Sequence, residues 1–173
     1  MALWMGGRFA PDPWRRLEPN EGLPASGQVY MTLDDWHRHA PYRTHPHAAL
    51  SNVALGVILD PDDTLDELIP DLQHLKLIVL NFPKFTDGRA YSTAQLLRGR
   101  FGFKGELRAV GDVLFDQLQL MERSGFTAFE ITHEPTIRLL EAGRHSGIGE
   151  FYQPSAIPEA PAGTRPWARR PLE

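Results

Sequence analysis

One loop carries most of the chemistry that the sequence suggests. Residues 83–92 join a strongly apolar run to a predicted helix and contain two cations and several hydroxyl groups. These groups can converge on an anion, because the free N–H groups at the start of a helix carry partial positive charge. The alternative is a simple turn in which Arg89 pairs with Asp87. The candidate anion-binding residues of this loop are Lys84, Asp87, Gly88, Arg89, Tyr91 and Ser92.

A second polar loop follows the next predicted strand. Gly111 lets the backbone turn sharply there, and Asp112 either caps the following helix or orients Arg89 or Arg108. Arg108, Gly111 and Asp112 complete the candidate anion site. No catalytic residue is predicted, because nothing in the spacing of the nearby carboxylates singles one out as a general acid or base.

Four of the seven histidines lie close together, as His37-x-His39 and His45-x-His47. Along an extended strand each pair projects to one side, and paired imidazoles can bind zinc. Two prolines interrupt the segment, however, and no acidic residue completes a set of ligands. We therefore interpret the segment as a solvated linker and predict no metal site.

The chain contains no cysteine, which excludes disulfides, thiolate nucleophiles and cysteine-ligated metal clusters. Gly99, Gly102 and Gly105 have the spacing of a nucleotide-binding loop. They lie between a predicted helix and a predicted strand, which is the reverse of the dinucleotide fingerprint. No cofactor is predicted from these patterns, so redox chemistry would need a borrowed one.

The charge balance restricts the partners. The chain has 173 residues, with 18 basic against 22 acidic side chains and a net charge of −4. Nucleic acid is not expected as a partner, because phosphate recognition needs an excess of Lys and Arg. No apolar stretch approaches the roughly 20 residues of a membrane span, so we expect a cytoplasmic location. Homo-oligomerisation stays open.

Short apolar runs alternate along the chain with stretches of helical period. The two strongest runs, residues 53–59 and 77–82, do not alternate polar with apolar side chains, which is typical of strands covered on both faces. Weaker strands are predicted at residues 28–31, 106–110 and 127–132.

Helices are predicted between these strands. The first begins with the capping box Thr64-x-x-Glu67 and is kinked or divided at Pro70. Three more are predicted from Ser92 to Gly99 or Gly102, from Asp112 to Gly125, and from Pro135 to Gly143.

The strand centres recur at roughly 20 to 28 residues, which is the length of a repeated β-α unit. We therefore expect an α/β fold with a mainly parallel sheet, built either as an open three-layer sheet or as a half-barrel. In both architectures the loops after the strands hold the site. This domain, residues 28–153, is predicted to lie between an irregular N-terminal arm (1–27) and a flexible Pro/Ala-rich C-terminal tail (154–173). Alternatively, the tail acts as a docking peptide built on Trp167.

The chain closely resembles the bacterial domain-of-unknown-function family nine-three-four over residues 82–129, FPKFTDGRAYSTAQLLRGRFGFKGELRAVGDVLFDQLQLMERSGFTAF. The resemblance extends more weakly upstream through GVILDPDDTLDELIPDL. Members of this family are often labelled oxidoreductases and tend to be encoded beside sulfite reductase. None of the matching residues has a catalytic role to transfer. Relatives commonly read Arg-Cys-Gly-Phe-Asp where this chain has Arg123-Ser124-Gly125-Phe126-Thr127, which favours a role without a thiol.

The resemblance implies a role in inorganic sulfur assimilation, and three hypotheses follow. The first is an accessory protein that binds sulfite reductase or another assimilation enzyme, together with a sulfur oxyanion at the cationic loop. The second is a small oxidoreductase that takes a borrowed flavin or nicotinamide cofactor into the same cleft. The third is a homodimeric interaction module whose polar residues only hold loops in place. The first is favoured, because the sequence supplies no redox apparatus of its own.

Overall fold

An eight-stranded sheet organises the computed structural model, which describes residues 2–39, 52–147, 151, 155–156, 159–162 and 165–171. Its order is β2-β1-β8-β7-β6-β5-β4-β3. The strands are β1 (Ala2–Met5), β2 (Arg8–Ala10), β3 (Trp14–Arg16), β4 (Gly27–Thr32), β5 (Val53–Leu59), β6 (Leu75–Phe82), β7 (Glu106–Gly111) and β8 (Ala128–Ile131).

Strands β3 to β8 run parallel, and each of β4 to β8 lies beside the strand that precedes it in the chain. β1 pairs antiparallel with β8, and β2 pairs antiparallel with β1. The predicted α/β fold with a mainly parallel sheet is therefore confirmed. Of the two architectures that periodicity left open, the half-barrel is the one that forms.

The chain itself holds the two edges of the sheet close together. β2 lies at one edge and β3 at the other, yet only residues 11–13 separate them in sequence. The four residue steps from Ala10 to Trp14 span at most about 14 Å. The sheet must therefore curl until its edges face each other, and residues 11–13 cross its concave side.

Helices pack on the convex face of the sheet. Their apolar side chains, among them Leu97 and Met121, form the main core together with outward-facing strand residues such as Phe129. The helices are α1 (Leu33–Arg38), α2 (Arg89–Gln95), α3 (Leu118–Arg123) and α4 (Glu134–Glu141); α2 continues into a π-helical turn (Leu96–Arg100), and 3-10 segments occupy Leu65–Glu67, Ile69–His74 and Phe115–Gln117.

The concave face holds a small apolar cluster and one buried cation. Arg108 points to this face because side chains alternate along a strand, and its neighbours Leu107 and Ala109 belong to the main core. The apolar cluster consists of Ile58, Leu77, Val79 and Val110, with Trp14 and Tyr30 packed against it.

The guanidinium of Arg108 is fully buried and meets two carboxylates. Its Nη1 and Nη2 donate to the carboxylate of Asp12 at 2.7 and 2.9 Å, and its Nε donates to Glu106 at 2.9 Å. Burial by itself would lower the pKa of Arg108, but the bonds to Asp12 and the charge of Glu106 outweigh it and raise the pKa. These contacts fasten the crossing segment to the middle of the sheet.

The prediction of an irregular N-terminal arm is wrong, because residues 1–27 contain β1, β2 and β3. Strands of three or four residues are too short to show a sequence period. Their pairing depends on distant partners, since β1 pairs with β8 near the other end of the domain.

The predicted flexible tail contains a two-stranded antiparallel sheet of β9 (Glu159–Ala162) and β10 (Arg165–Pro171). Of residues 160–162 and 165–171 only the backbone is described, so the docking role considered for Trp167 lies outside the described side chains. Glu159 fixes the start of this hairpin, because its carboxylate accepts from Arg123 Nε on α3 at 2.7 Å. Such a long-range pair leaves no local signal in the sequence.

The predicted strands agree with β4 to β8 within two residues at each end. The first predicted helix is wrong, because residues 65–74 form two 3-10 segments and the Thr64 side chain makes no capping bond. Pro70 lies at the start of the second segment, where its missing N–H costs little. α2 begins at Arg89, three residues before the predicted start.

Replacing Arg108 by methionine is expected to lower the free energy of unfolding by about 3 kcal/mol, because Asp12 and Glu106 lose their shared partner inside the half-barrel. Denaturant unfolding measures this change. Arg138→Met is the matched control, since Arg138 is exposed on α4, and its effect should stay within about 0.5 kcal/mol. Equal effects of the two substitutions would contradict the role given to Arg108.

Candidate functional site

Three loops meet at the carboxyl-terminal edge of the parallel strands. They follow β5, β6 and β7, and neighbouring parallel strands end at the same edge. An acidic loop, residues 60–63, therefore lies beside the cationic loop, residues 83–89. We call these two segments, together with Asp112, the strand-end cluster.

Arg89 lies at the centre of the strand-end cluster. Its Nε and Nη2 donate to the two carboxylate oxygens of Asp87 at 3.0 and 2.7 Å. Its Nη1 donates to Asp62 at 2.6 Å and to the carbonyl oxygen of Pro61 at 3.2 Å. All three nitrogens of Arg89 thus have acceptors supplied by the chain.

Of the two alternatives for this loop, the pairing of Arg89 with Asp87 is the one that the structure contains. The carboxylates of Asp87 and Asp62 would compete with an anion for the guanidinium of Arg89. The hydrogen bonds from the Arg89 side chain and backbone lower the pKa of Asp87. The ion pairs of Arg89 with Asp87 and Asp62 link the two loops, and we call this arrangement the Arg89 latch.

Asp112 holds the cationic loop in a second way. Its Oδ2 accepts from the backbone N–H of Phe85 at 2.9 Å, and Gln117 Nε2 donates to the carbonyl oxygen of Phe85 at 3.4 Å. Asp112 does not cap the following helix, because α3 begins only at Leu118. The expected capping role is therefore wrong, and the carboxylate fixes the neighbouring loop instead.

Gly111 makes this arrangement sterically feasible. Its φ is +91°, and a Cβ at this position would lie 2.4 Å from the carbonyl oxygen of Phe82. The close approach lets the N–H of Asp112 donate to that same oxygen at 2.7 Å. The predicted sharp turn is confirmed, and its effect is to bring β7 and the loop after β6 together.

The remaining predicted residues do not converge on one point. The ring of Tyr91 packs edge-on against Phe82, with centroids 5.2 Å apart, and burial raises the pKa of Tyr91 to about 12. Gly88 and Ser92 lie at the start of α2, and the exposed Lys84 contributes through its charge to the lowered pKa of Asp87. Arg108 is bound to Asp12 and Glu106 on the concave face, so it does not join the strand-end cluster.

Sequence reasoning missed several members of the cluster. The Asp-Pro-Asp-Asp run after β5 could have been recognised, because β5 and β6 are neighbouring parallel strands and the loops that follow them lie side by side. Asn81 gave none, although its Nδ2 donates to Asp60 at 2.7 Å. Phe85 was also missed: this residue is 48% exposed, while most large apolar residues of the domain are buried.

Comparison with known families gives one match. A family model described as a bacterial protein of unknown function (DUF934) matches residues 56–162, which is more than half of the chain. The chain belongs to this family. The match includes all of the strand-end cluster and agrees with the resemblance noted in the sequence. No curated protein and no solved structure matches the DUF934 chain.

The histidine pairs do not form a recognisable metal centre in the described part of the DUF934 protein, where no group of three or more His, Asp or Glu could hold an ion. His37 Nε2 lies 2.9 Å from a carboxylate oxygen of Glu67. His45 and His47 lie outside the described residues. In residues 2–39 and 52–147, no helix has the length and apolarity needed to cross a bilayer.

Asp112→Ala in the DUF934 protein is expected to speed hydrogen exchange of the Phe85 amide by about 10-fold, because that N–H loses its charged acceptor. Amide exchange followed by NMR measures the effect. Asp116→Ala is the control, since Asp116 is an exposed carboxylate four residues away. An unchanged Phe85 rate would show that Asp112 does not hold the loop.

The Arg89 latch is expected to open in acid. Because the pKa of Asp87 is lowered in the folded protein, its stabilising bond is complete above the ordinary aspartate pKa of about 3.9 and is lost as pH falls through the lowered pKa of the folded state. NMR of the Arg89 Nε–H, followed from about pH 5 downward for as long as the Leu107 amide in β7 still reports a folded sheet, should show this loss. In Asp87→Asn the resonance should show no such transition; an identical titration there would rule out Asp87 as the cause.

Proposed function

We propose that this DUF934 protein is an accessory protein of inorganic sulfur assimilation that binds sulfite reductase through the loop after β6. The observation that carries the proposal is the exposed Phe85 on a loop that is fixed from both sides. The partner is taken from the family resemblance, whose members tend to be encoded beside that enzyme.

Phe85 has the properties of an interface anchor. Aromatic side chains contribute most of the binding energy at many protein interfaces, and Phe85 is nearly half exposed to solvent. The backbone N–H and carbonyl of Phe85 are both hydrogen-bonded, to Asp112 and Gln117. A loop fixed before binding loses less conformational entropy when a partner arrives. The exposed Lys84 beside it adds a positive charge for an acidic surface.

The structure gives less support to an oxyanion at the same loop. Arg89 was the main expected ligand, but Asp87 and Asp62 occupy its guanidinium. Arg108, another expected ligand, lies on the concave face with its own carboxylates. A sulfur oxyanion at these two arginines would therefore compete with four carboxylates of the chain, which favours a docking role for this loop.

The cavity between these loops is too small for the borrowed cofactor of the alternative hypothesis. The cavity between the loops, lined by Asp60, Asn81 and Thr93 among others, has a volume of about 20 Å³. Pockets for small molecules usually measure about 300–1,000 Å³. A flavin or nicotinamide would fit only after the latch of Arg89 had opened, so the oxidoreductase hypothesis needs a rearrangement that the docking hypothesis does not.

Binding to purified sulfite reductase tests the proposal. The protein is immobilised and the affinity for the enzyme is measured by surface plasmon resonance. Phe85→Ala is expected to weaken binding by about 30-fold, the effect of losing one anchor residue. Leu120→Ala is the matched control, because Leu120 on α3 is 50% exposed and lies outside the strand-end cluster.

Two results would overturn the proposal. One is the absence of saturable binding between the wild-type protein and sulfite reductase. The other is equal affinity of Phe85→Ala and wild type, which would place the contact elsewhere. Light scattering in the same buffer measures the molar mass and so distinguishes binding of sulfite reductase from homodimer formation. A dimer that is lost in Phe85→Ala would show that the aromatic anchor serves self-association.

A further inference from the structure

A groove of about 670 Å³ lies at the opposite, amino-terminal edge of the sheet. One wall is the 3-10 segment Ile69–His74, and the other is formed by residues 101–105 after the π-helical turn. The first residues of β6 form its base. This groove is separate from the strand-end cluster, and its volume is in the range of small-molecule sites.

Two irregularities of the backbone shape the groove. In β6, Leu75 pairs with Leu55 and Leu77 pairs with Gly56, so Lys76 is an extra residue in the strand. Such a bulge redirects a side chain, and Lys76 lines the groove. After α2, the N–H of Phe101 donates to the carbonyl of Leu96, five residues earlier, at 3.0 Å. Bulges and π-helical turns recur at functional sites, and here both border one groove.

Arg98 fixes the second wall. Its Nη1 donates to the carbonyl oxygens of Phe103 and Gly105 at 2.6 and 2.9 Å, and its Nε donates to that of Gly125 at 2.9 Å. These acceptors are neutral, so the positive charge of Arg98 is not cancelled by a carboxylate. It lies directly behind residues 103–105 and raises the positive potential of the wall.

The lining combines cations with aromatic and apolar surface. Lys76 and Lys104 both line it, and neither ammonium group has a hydrogen bond or an ion pair within the described part of the chain. None of the lining residues is acidic, although the chain as a whole carries a net charge of −4. Phe101 and Leu72 supply apolar surface beside the two ammonium groups.

We infer that this groove binds a small aromatic anion: a flat apolar ring system that carries a sulfonate, carboxylate or phosphate group. The ring lies against Phe101 and the apolar wall, and the anionic group is held by Lys76 and Lys104. The register of β6 and β7 supports this pairing, because Leu77 lies opposite Glu106 and the two lysines therefore come from adjacent strand ends. The inference does not depend on the proposed binding of sulfite reductase.

Two fluorescent probes that differ in one charged group test the inference. 8-Anilinonaphthalene-1-sulfonate carries the sulfonate, and N-phenyl-1-naphthylamine is its uncharged counterpart. The wild-type protein is expected to bind the sulfonate at one site per chain and at least about 10-fold more tightly than the neutral probe, the effect of a charge-assisted hydrogen bond. The variant Lys76→Gln/Lys104→Gln should lose this difference. Lys84→Gln, which changes an exposed lysine at the other edge, should keep it.

Melting curves and circular dichroism of each variant confirm that the fold is intact, since both lysines are exposed. Equal affinity of the two probes for the wild-type protein would show an apolar site without anion recognition and would overturn the inference. So would an unchanged sulfonate affinity in the Lys76→Gln/Lys104→Gln variant, or the absence of saturable binding by either probe.

Discussion

The buried contact between Arg108 and Asp12 is the constraint on which the rest of the structure depends. Curling a sheet brings side chains of one face together, and the middle of that face here contains a cation. Asp12, on the segment between β2 and β3, supplies a carboxylate there. The charge of Arg108 and the curvature of the sheet therefore depend on each other. Without residues 11–13 the guanidinium would be buried unpaired, and without the guanidinium these residues would have no fixed position.

The two edges of the sheet use their charges in different ways. At the carboxyl-terminal edge, Arg89 is bound by Asp62 and Asp87, so the charges fix loops and present Phe85. At the amino-terminal edge, none of the residues that line the groove beside its two lysines is acidic. Charge that is already neutralised contributes to local rigidity, whereas unpaired charge around a cavity is available to a ligand. In parallel α/β proteins the ligand site usually lies at the carboxyl-terminal edge of the sheet. The fold class alone would therefore not point to the groove at the amino-terminal edge.

The sequence predicted the strands of the parallel sheet well, because continuous apolar runs bounded by glycine and polar residues are a local signal. It did not show which face of those strands would be concave, so Arg108 was assigned to a loop site although it points into the half-barrel. It could not pair Asp12 with Arg108, since 96 residues separate them. Asp112 was recognised as important for the wrong reason: its aspartate type suggested a local helix cap, whereas its partner is Phe85 on the neighbouring loop.

The pairing of β1 with β8 has a consequence for the order of events during synthesis. Strands β3 to β7 are added to the sheet in chain order, so each can pair as soon as it is made. β1 can pair with β2 at once, but its pairing with β8 must wait until residues 128–131 exist, which at the usual rates of translation is roughly 6 to 25 seconds after the synthesis of β1. Once β8 is made, it has an open edge until the β1–β2 hairpin pairs with it, and such an edge recruits other chains. The return of the N-terminal strands therefore closes the barrel wall and protects the nascent protein from aggregation in the same step.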